Sequence, residues 1–224
     1  MSTLSMLPVY ITAVGGLGTA AFGLVDSFKA LPGGGVSRAG LKFIRRIVTE
    51  LTPPDPTFDQ SGLSRQAVIN TLTSQWINGT ASDDQVTIAK AQVKLRLSTT
   101  TAPSLAKSTG VDAGILTAVA ASIVSGTSLT PQQSDVYGRF DLMLTTLLDQ
   151  AYQRADQRYR NVSKLVAVPV SVFLALAAHA AAPEAVSALQ AALLGLIATP
   201  LAPIAKDLST AIANSAQALQ TIKG

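Results

Sequence analysis

The sequence predicts an all-α integral membrane protein with three transmembrane helices, one N-terminal and two in a C-terminal hairpin, and a cytoplasmic helical bundle between them. Three observations predict it. Three long stretches carry almost no charge, basic residues crowd beside them, and the remaining apolar residues recur at helical spacing between glycine, proline and capping breaks. Composition agrees. Of 224 residues 13% are charged and 48% hydrophobic, against roughly 25% charged in an average soluble domain. Mean hydropathy is +0.36, so the chain has too much apolar surface to stay disordered.

The N-terminal helix, residues 1–31, comes first. Residues 1–25 hold no charge, and Leu7 to Val25 reads LPVYITAVGGLGTAAFGLV, a membrane-spanning length. A cleaved signal peptide needs a basic start and a small-residue cleavage site. No Lys or Arg precedes Lys29, so a retained anchor is expected. Gly15, Thr19 and Gly23 repeat every four residues, a small-residue ladder that lets helices approach closely.

Residues 32–56 read as connection and surface helix. Pro32-Gly33-Gly34-Gly35 is expected to be a flexible joint. A phosphate-cradling loop would need a preceding strand and a following Gly-Lys-Ser/Thr. Ser37 is placed to cap a helix over 38–51, where Leu41, Ile44, Ile47, Val48 and Leu51 share one face. That face suits a membrane surface or a partner helix. Thr52-Pro53-Pro54-Asp55-Pro56 reads as a stop and a linker.

The cytoplasmic domain, residues 57–164, shows a weak internal repeat of two helical hairpins, 63–97 and 111–147. Leu72 aligns with Val119, Trp76 with Ile123, and Gly79-Thr80 with Gly126-Thr127. Each copy then offers a capping box, Ser82 to Gln85 and Thr130 to Gln133, the second with Pro131 at the first helical position. Two such hairpins can pack as a four-helix bundle. Shared helix punctuation is the alternative to a true duplication. From Pro131 to Ala182 nothing stops the last helix, so a rigid rod is expected from the bundle into the membrane. Leu148, Tyr152, Ala155, Tyr159 and Val162 form its packing stripe.

The hairpin, residues 165–205, consists of the charge-poor runs 165–183 and 185–205, separated by Glu184. Ser171 with Ala175, and Ala191 with Gly195, make further four-residue ladders. Pro200 and Pro203 are expected to kink or loosen the third span. Residues 206–224 keep a helical period through Leu208, Ile212, Leu219 and Ile222, an amphipathic tail.

Charge placement sets topology. Fifteen of the 17 basic residues lie between residues 27 and 164. Lys29, Arg38, Lys42, Arg45 and Arg46 follow the first span, and Arg154, Arg158, Arg160 and Lys164 precede the second. Basic loops stay inside, so 32–164 and the C-terminus are expected in the cytoplasm, with the N-terminus and the 183–184 turn outside, in a bacterial inner membrane. The same basic residues are candidates for contact with lipid headgroups. Without interleaved aromatic residues they do not suggest nucleic-acid binding.

Catalytic chemistry is not legible. The chain has no cysteine and one histidine, which removes thiolate chemistry, multi-histidine metal sites and a Ser-His-Asp triad outside the spans. Asp83-Asp84 suits a helix N-terminus electrostatically. His179 is the one ionisable candidate within an expected span, about one turn from the 183–184 turn; such residues are functional candidates, with helix packing or an interfacial position as the alternative reading. Ala175-Leu176-Ala177-Ala178-His179 has an Ala-x-x-x-His spacing that resembles the pigment-ligating histidine of bacterial light-harvesting polypeptides. That resemblance covers this string alone and implies His179 as a cofactor-binding position. No other cofactor or substrate is inferred. The expected function is a non-enzymatic membrane anchor, scaffold or accessory subunit, whose partners are the bilayer and other membrane or membrane-associated proteins, itself included. The alternatives are an oligomeric channel or transport component and an envelope sensor with a rigid transmitter helix.

Overall fold

The computed structural model describes residues 3–28 and 34–223, with side chains for 11–28, 34–204 and 207. Among them the chain is all-helical. The helices are α1 (Thr3–Ser27), α2 (Arg38–Leu51), α3 (Arg65–Ile77), α4 (Ser82–Leu95), α5 (Ala102–Thr109), α6 (Ala113–Ser125), α7 (Pro131–Ala181) and α8 (Ala188–Lys223). They form two compact units, residues 37–159 and residues 1–36 with 160–224.

The 37–159 unit has an ordinary large-residue core. Ile44, Val48 and Leu51 of α2 join Leu72 of α3, Leu105 of α5, Leu116 of α6 and Phe140, Leu144, Leu148 and Tyr152 of α7. The expectation of four helices is corrected in two ways. Residues 98–110, left unassigned by the repeat, contain α5, which starts with Pro103 in its first turn. The apolar face of α2 is buried in this core, so α2 belongs to the bundle and not to a connecting segment. Its close approach to α7 uses Gly40, where a Cβ would lie 2.6 Å from the Ala155 carbonyl oxygen and 2.7 Å from the Trp76 ring.

Both copies of the apparent repeat share a helix end. Gly79 and Gly126 both adopt left-handed φ values, 73° and 69°. Thr80 N–H then donates to the Gln75 carbonyl and Thr127 N–H to that of Ser122, at 3.1 and 3.0 Å. These are Schellman closures. Gly110 closes α5 the same way, with Val111 N–H donating to Ala106. Gly110 lies outside the repeat, so this kind of helix end is not confined to the two copies. Burial differs too: Trp76 packs on the core, whereas its counterpart Ile123 is 49% exposed.

The capping expectations divide. Thr130 and Gln133 form a reciprocal box, at 2.9 and 3.2 Å. Ser82 does not cap α4. The cap position is Ala81, and Gln85 Nε2 instead donates to the Thr80 carbonyl at 2.6 Å. Ser37 sits in a 3-10 turn with helical φ and ψ and makes no side-chain cap bond. Its carbonyl accepts from Trp76 Nε1 at 2.9 Å. An unanticipated box at Ser187 and Gln190 starts α8 at Ala188.

The 1–36 and 160–224 unit packs α1, the last part of α7 and α8. Of the three expected spans, one meets the length for crossing a membrane among the described residues: the apolar part of α7. Within the described residues the apolar segments Ile11–Ser27 and Ala188–Ile204 fall below that length. Pro169, Pro200 and Pro203 lie inside continuous helices. The expected boundary at 205–206 is therefore not a helix end. The side chains of Leu208, Ile212, Leu219 and Ile222 fall outside the described residues, as do Lys29, Pro32 and Gly33. The rest of the expected joint is a shaped turn. Gly34 and Gly35 have φ of 83° and 46°, and a Cβ on Gly35 would fall on the Phe28 carbonyl.

Candidate functional site

Small residues line the contacts inside the 1–36 and 160–224 unit. Gly15, Gly18, Ala21 and Val25 are buried among the described side chains of α1. At Gly18 a Cβ would fall on the Ala198 carbonyl of α8 and lie 2.8 Å from Ala202 Cβ. Within this chain the contact takes up one member of the expected ladder. Gly15 is in the contact, but Thr19 and Gly23 are exposed, and nothing lies within 4 Å of a Cβ on Gly23. Thr19 Oγ1 donates back to the Gly15 carbonyl at 2.9 Å. The contact stripe runs at three- and four-residue steps, which follows the helix axis better than a strict four.

Ser171, Ala175, Ala191 and Gly195 are all buried. A Cβ on Gly195 would lie 2.5 Å from Val172 Cα, so α7 and α8 meet backbone to backbone. Ser171 Oγ donates to the Gly195 carbonyl at 2.6 Å and lies 2.9 Å from Thr199 Oγ1. Thr199 shares the buried node. Against this interior, Leu165, Phe173, Leu189 and Ile204 are each more than 60% exposed. The unit thus buries Gly, Ala, Ser and Thr and presents Leu, Ile and Phe outward. A water-soluble bundle sorts these sizes the other way.

His179 is half-buried near the end of α7, and its Nδ1 has no hydrogen-bond partner. No group of three or more His, Asp or Glu suited to a metal occurs among the described residues. The basic candidates Arg38, Lys42, Arg45, Arg46, Arg154, Arg158, Arg160 and Lys164 are all exposed. Arg46 and Arg154 line one open cavity of about 230 Å³ between α2 and α7, whose other walls include Phe43, Ile47, Glu50 and Leu147.

Two polar clusters in the 37–159 unit escaped sequence reading. The first corrects the Thr52–Pro56 linker. Thr52, Pro53 and Asp55 are buried, and the buried Arg96 clasps the segment. Its Nη2 donates to the Pro53 carbonyl at 2.6 Å, and Nη1 donates to that of Leu63. The guanidinium sits 4.8 Å from the centre of the Phe58 ring. Asp55 accepts from Thr57 N–H at 2.9 Å and from Ser98 Oγ at 2.8 Å. Burial raises the Asp55 carboxyl, but these bonds and the Arg96 charge outweigh it and hold the group below its usual range. In the second cluster Asp141 bridges Lys90 and Lys94 at 3.1 and 2.9 Å. Desolvation opposes both charges, but the bonds prevail: the Asp141 carboxyl is held down and the Lys94 ammonium is held up.

The signs give a pH prediction. A depressed carboxyl contributes stability above its ordinary value, 3.8 for Asp141, and loses it as pH falls through the depressed value. The raised Lys94 contributes fully below 10.5 and loses its share as pH rises through the elevated value. Asp141→Asn should therefore cost about 0.5–1 kcal/mol at neutral pH, the scale of a partly exposed network, and flatten both limbs. Thermal unfolding of the full chain across pH, followed by the single tryptophan, Trp76, checks this. Unchanged limbs in the variant would refute it.

Compared with protein-family models, curated proteins and solved structures, the chain matches none.

Proposed function

We propose that the protein is a non-enzymatic integral membrane anchor, scaffold or accessory subunit, with three helices in the bilayer and the 37–159 unit in the cytoplasm. The observation that carries this reading is the size sorting of the 1–36 and 160–224 unit. Lipid tails are as apolar as leucine, so large side chains lose nothing by facing them. Helices then associate through small residues and buried hydroxyl bonds. Only 17% of the apolar window of α7 is buried inside the protein, unlike the core helix of a soluble bundle. The exposed basic residues between the apolar stretches support an inside placement of the 37–159 unit by the positive-inside rule. The Ser171 and Thr199 hydroxyls satisfy each other and the Gly195 carbonyl, so they supply no free polar lining, which favours an anchor over a pore.

The test uses the absence of native cysteine. Full-length Thr99→Cys and Ala185→Cys variants in a bacterial inner membrane are treated with a membrane-impermeant maleimide. The expected result is retention of the protein through alkaline extraction, labelling of Ala185→Cys in intact spheroplasts, and labelling of Thr99→Cys after permeabilisation alone. Release by alkali would overturn the integral reading. Equal labelling of both positions in intact spheroplasts would overturn the topology.

A further inference from the structure

The cavity between α2 and α7 combines features that neither helix shows alone. Phe43, Ile47 and Leu147 give it an apolar floor, and Arg46, Arg154 and Glu50 stand around it. None of these three charges makes an ion pair, although Arg46 and Glu50 are spaced for one along α2. The cavity therefore offers two unengaged guanidiniums and one unengaged carboxylate over an apolar base. At about 230 Å³ it is smaller than the roughly 300–1,000 Å³ that takes a whole drug-sized ligand.

We propose that this cavity binds the headgroup of an amine-bearing phospholipid, its phosphate diester held by Arg46 and Arg154 and its primary ammonium by Glu50. The assignment rests on the membrane reading above for its source of ligand. Guanidinium is the side chain best matched to phosphate oxygens. The carboxylate would repel a lone phosphate and is explained by a cation carried on the same ligand. Gln150 also lines the cavity and can donate to a phosphate oxygen. The apolar floor suits the glycerol end, while the volume leaves the acyl chains outside. The two helices are also the right ones in sequence. α2 is the first helix after the N-terminal apolar stretch, and Arg154 precedes the apolar run that begins at Leu165.

The experiment is titration of the full-length protein, delipidated in a neutral detergent, with dihexanoyl phosphatidylethanolamine, phosphatidylglycerol or phosphatidylcholine, and with soluble O-phosphoethanolamine. The expected result is saturable binding of phosphatidylethanolamine, tighter than the other two lipids. Arg46→Gln with Arg154→Gln should weaken it roughly ten-fold or more, the scale of one lost charged hydrogen bond. Glu50→Gln should abolish the preference over phosphatidylglycerol while leaving phosphate binding in place. Trp76 fluorescence verifies that each variant is folded. Equal affinity for all three lipids, or variants that bind like wild type, would overturn the site. Equal affinity for O-phosphoethanolamine would overturn the lipid as its ligand. Binding in detergent does not depend on insertion, so its failure is separable from a failure of the alkaline-extraction test.

Discussion

Replacing Arg96 by alanine is expected to destabilise the 37–159 unit by about 3–5 kcal/mol, the usual consequence of emptying one side of a buried charged cluster. That is a large part of a typical domain's total stability of about 5–15 kcal/mol. The size follows from what is left behind. The buried carbonyl of Pro53 and the part-buried carbonyl of Leu63 lose the guanidinium they accept from. Each buried orphan of this kind costs about 1–3 kcal/mol. The Phe58 ring loses the guanidinium stacked on it, and Asp55 loses a compensating charge. Arg96→Lys should recover little, because an ammonium cannot fork between two fixed carbonyls. Arg65 is the control. It makes a single bond, from Nε to the Thr52 carbonyl at 2.8 Å, so Arg65→Ala should cost about 1 kcal/mol. Urea unfolding of the full chain in detergent, followed by Trp76, measures all three. An Arg96→Ala midpoint no lower than that of Arg65→Ala would show that the clasp contributes nothing special.

This cluster also marks where sequence reasoning stopped. Three prolines in five residues read as the end of a helix and a linker, but gave no sign that the linker is buried. What fixes the segment is a donor 43 residues further along the chain, and no local pattern announces it. Local signals fared better. The apolar face of α2, the Gly-Thr helix ends and the Thr130 box each depend on residues within a turn or two, and each is found. The Ser82 box failed because α4 begins one residue early, with Ala81 at the cap position and Ser82 already inside the helix. Among the small-residue candidates, Ser171 and Ala175 on α7 and Ala191 and Gly195 on α8 occupy the buried faces their spacing suggested. Those on α1 do not. Gly15, Gly16, Gly18 and Gly23 offer several possible stripes in one apolar helix, and only the packing against Ala198 and Ala202 selects the stripe through Gly18.

That choice of stripe can be tested directly, and the expected effects are large. Gly195→Leu and Gly18→Leu should each disrupt the 1–36 and 160–224 unit, whereas Gly23→Leu should be tolerated. At Gly195 the new Cβ would meet Val172 Cα at 2.5 Å and the Ser171 carbonyl at 2.8 Å. These are backbone atoms, which cannot turn aside as a side chain would, so the helices must part. Overpacking in a tight interior costs about 1–3 kcal/mol and more where backbone has to move. Parting the helices also breaks the Ser171 bond to the Gly195 carbonyl; on the proposed membrane reading, an interhelical hydrogen bond is worth about 0.6 kcal/mol, at most about 1.7. Ser171→Ala alone should therefore be the mild variant and Gly195→Leu the severe one. Their difference separates close packing from hydrogen bonding as the force holding α7 to α8. Gly23 is the same residue type on the same helix as Gly18, but a Cβ there would have nothing within 4 Å. Heating each purified variant in detergent and measuring the surviving monodisperse fraction by size exclusion gives the ranking. If Gly23→Leu were as damaging as Gly18→Leu, α1 would have to present a different face, and the contact with α8 described above would be wrong.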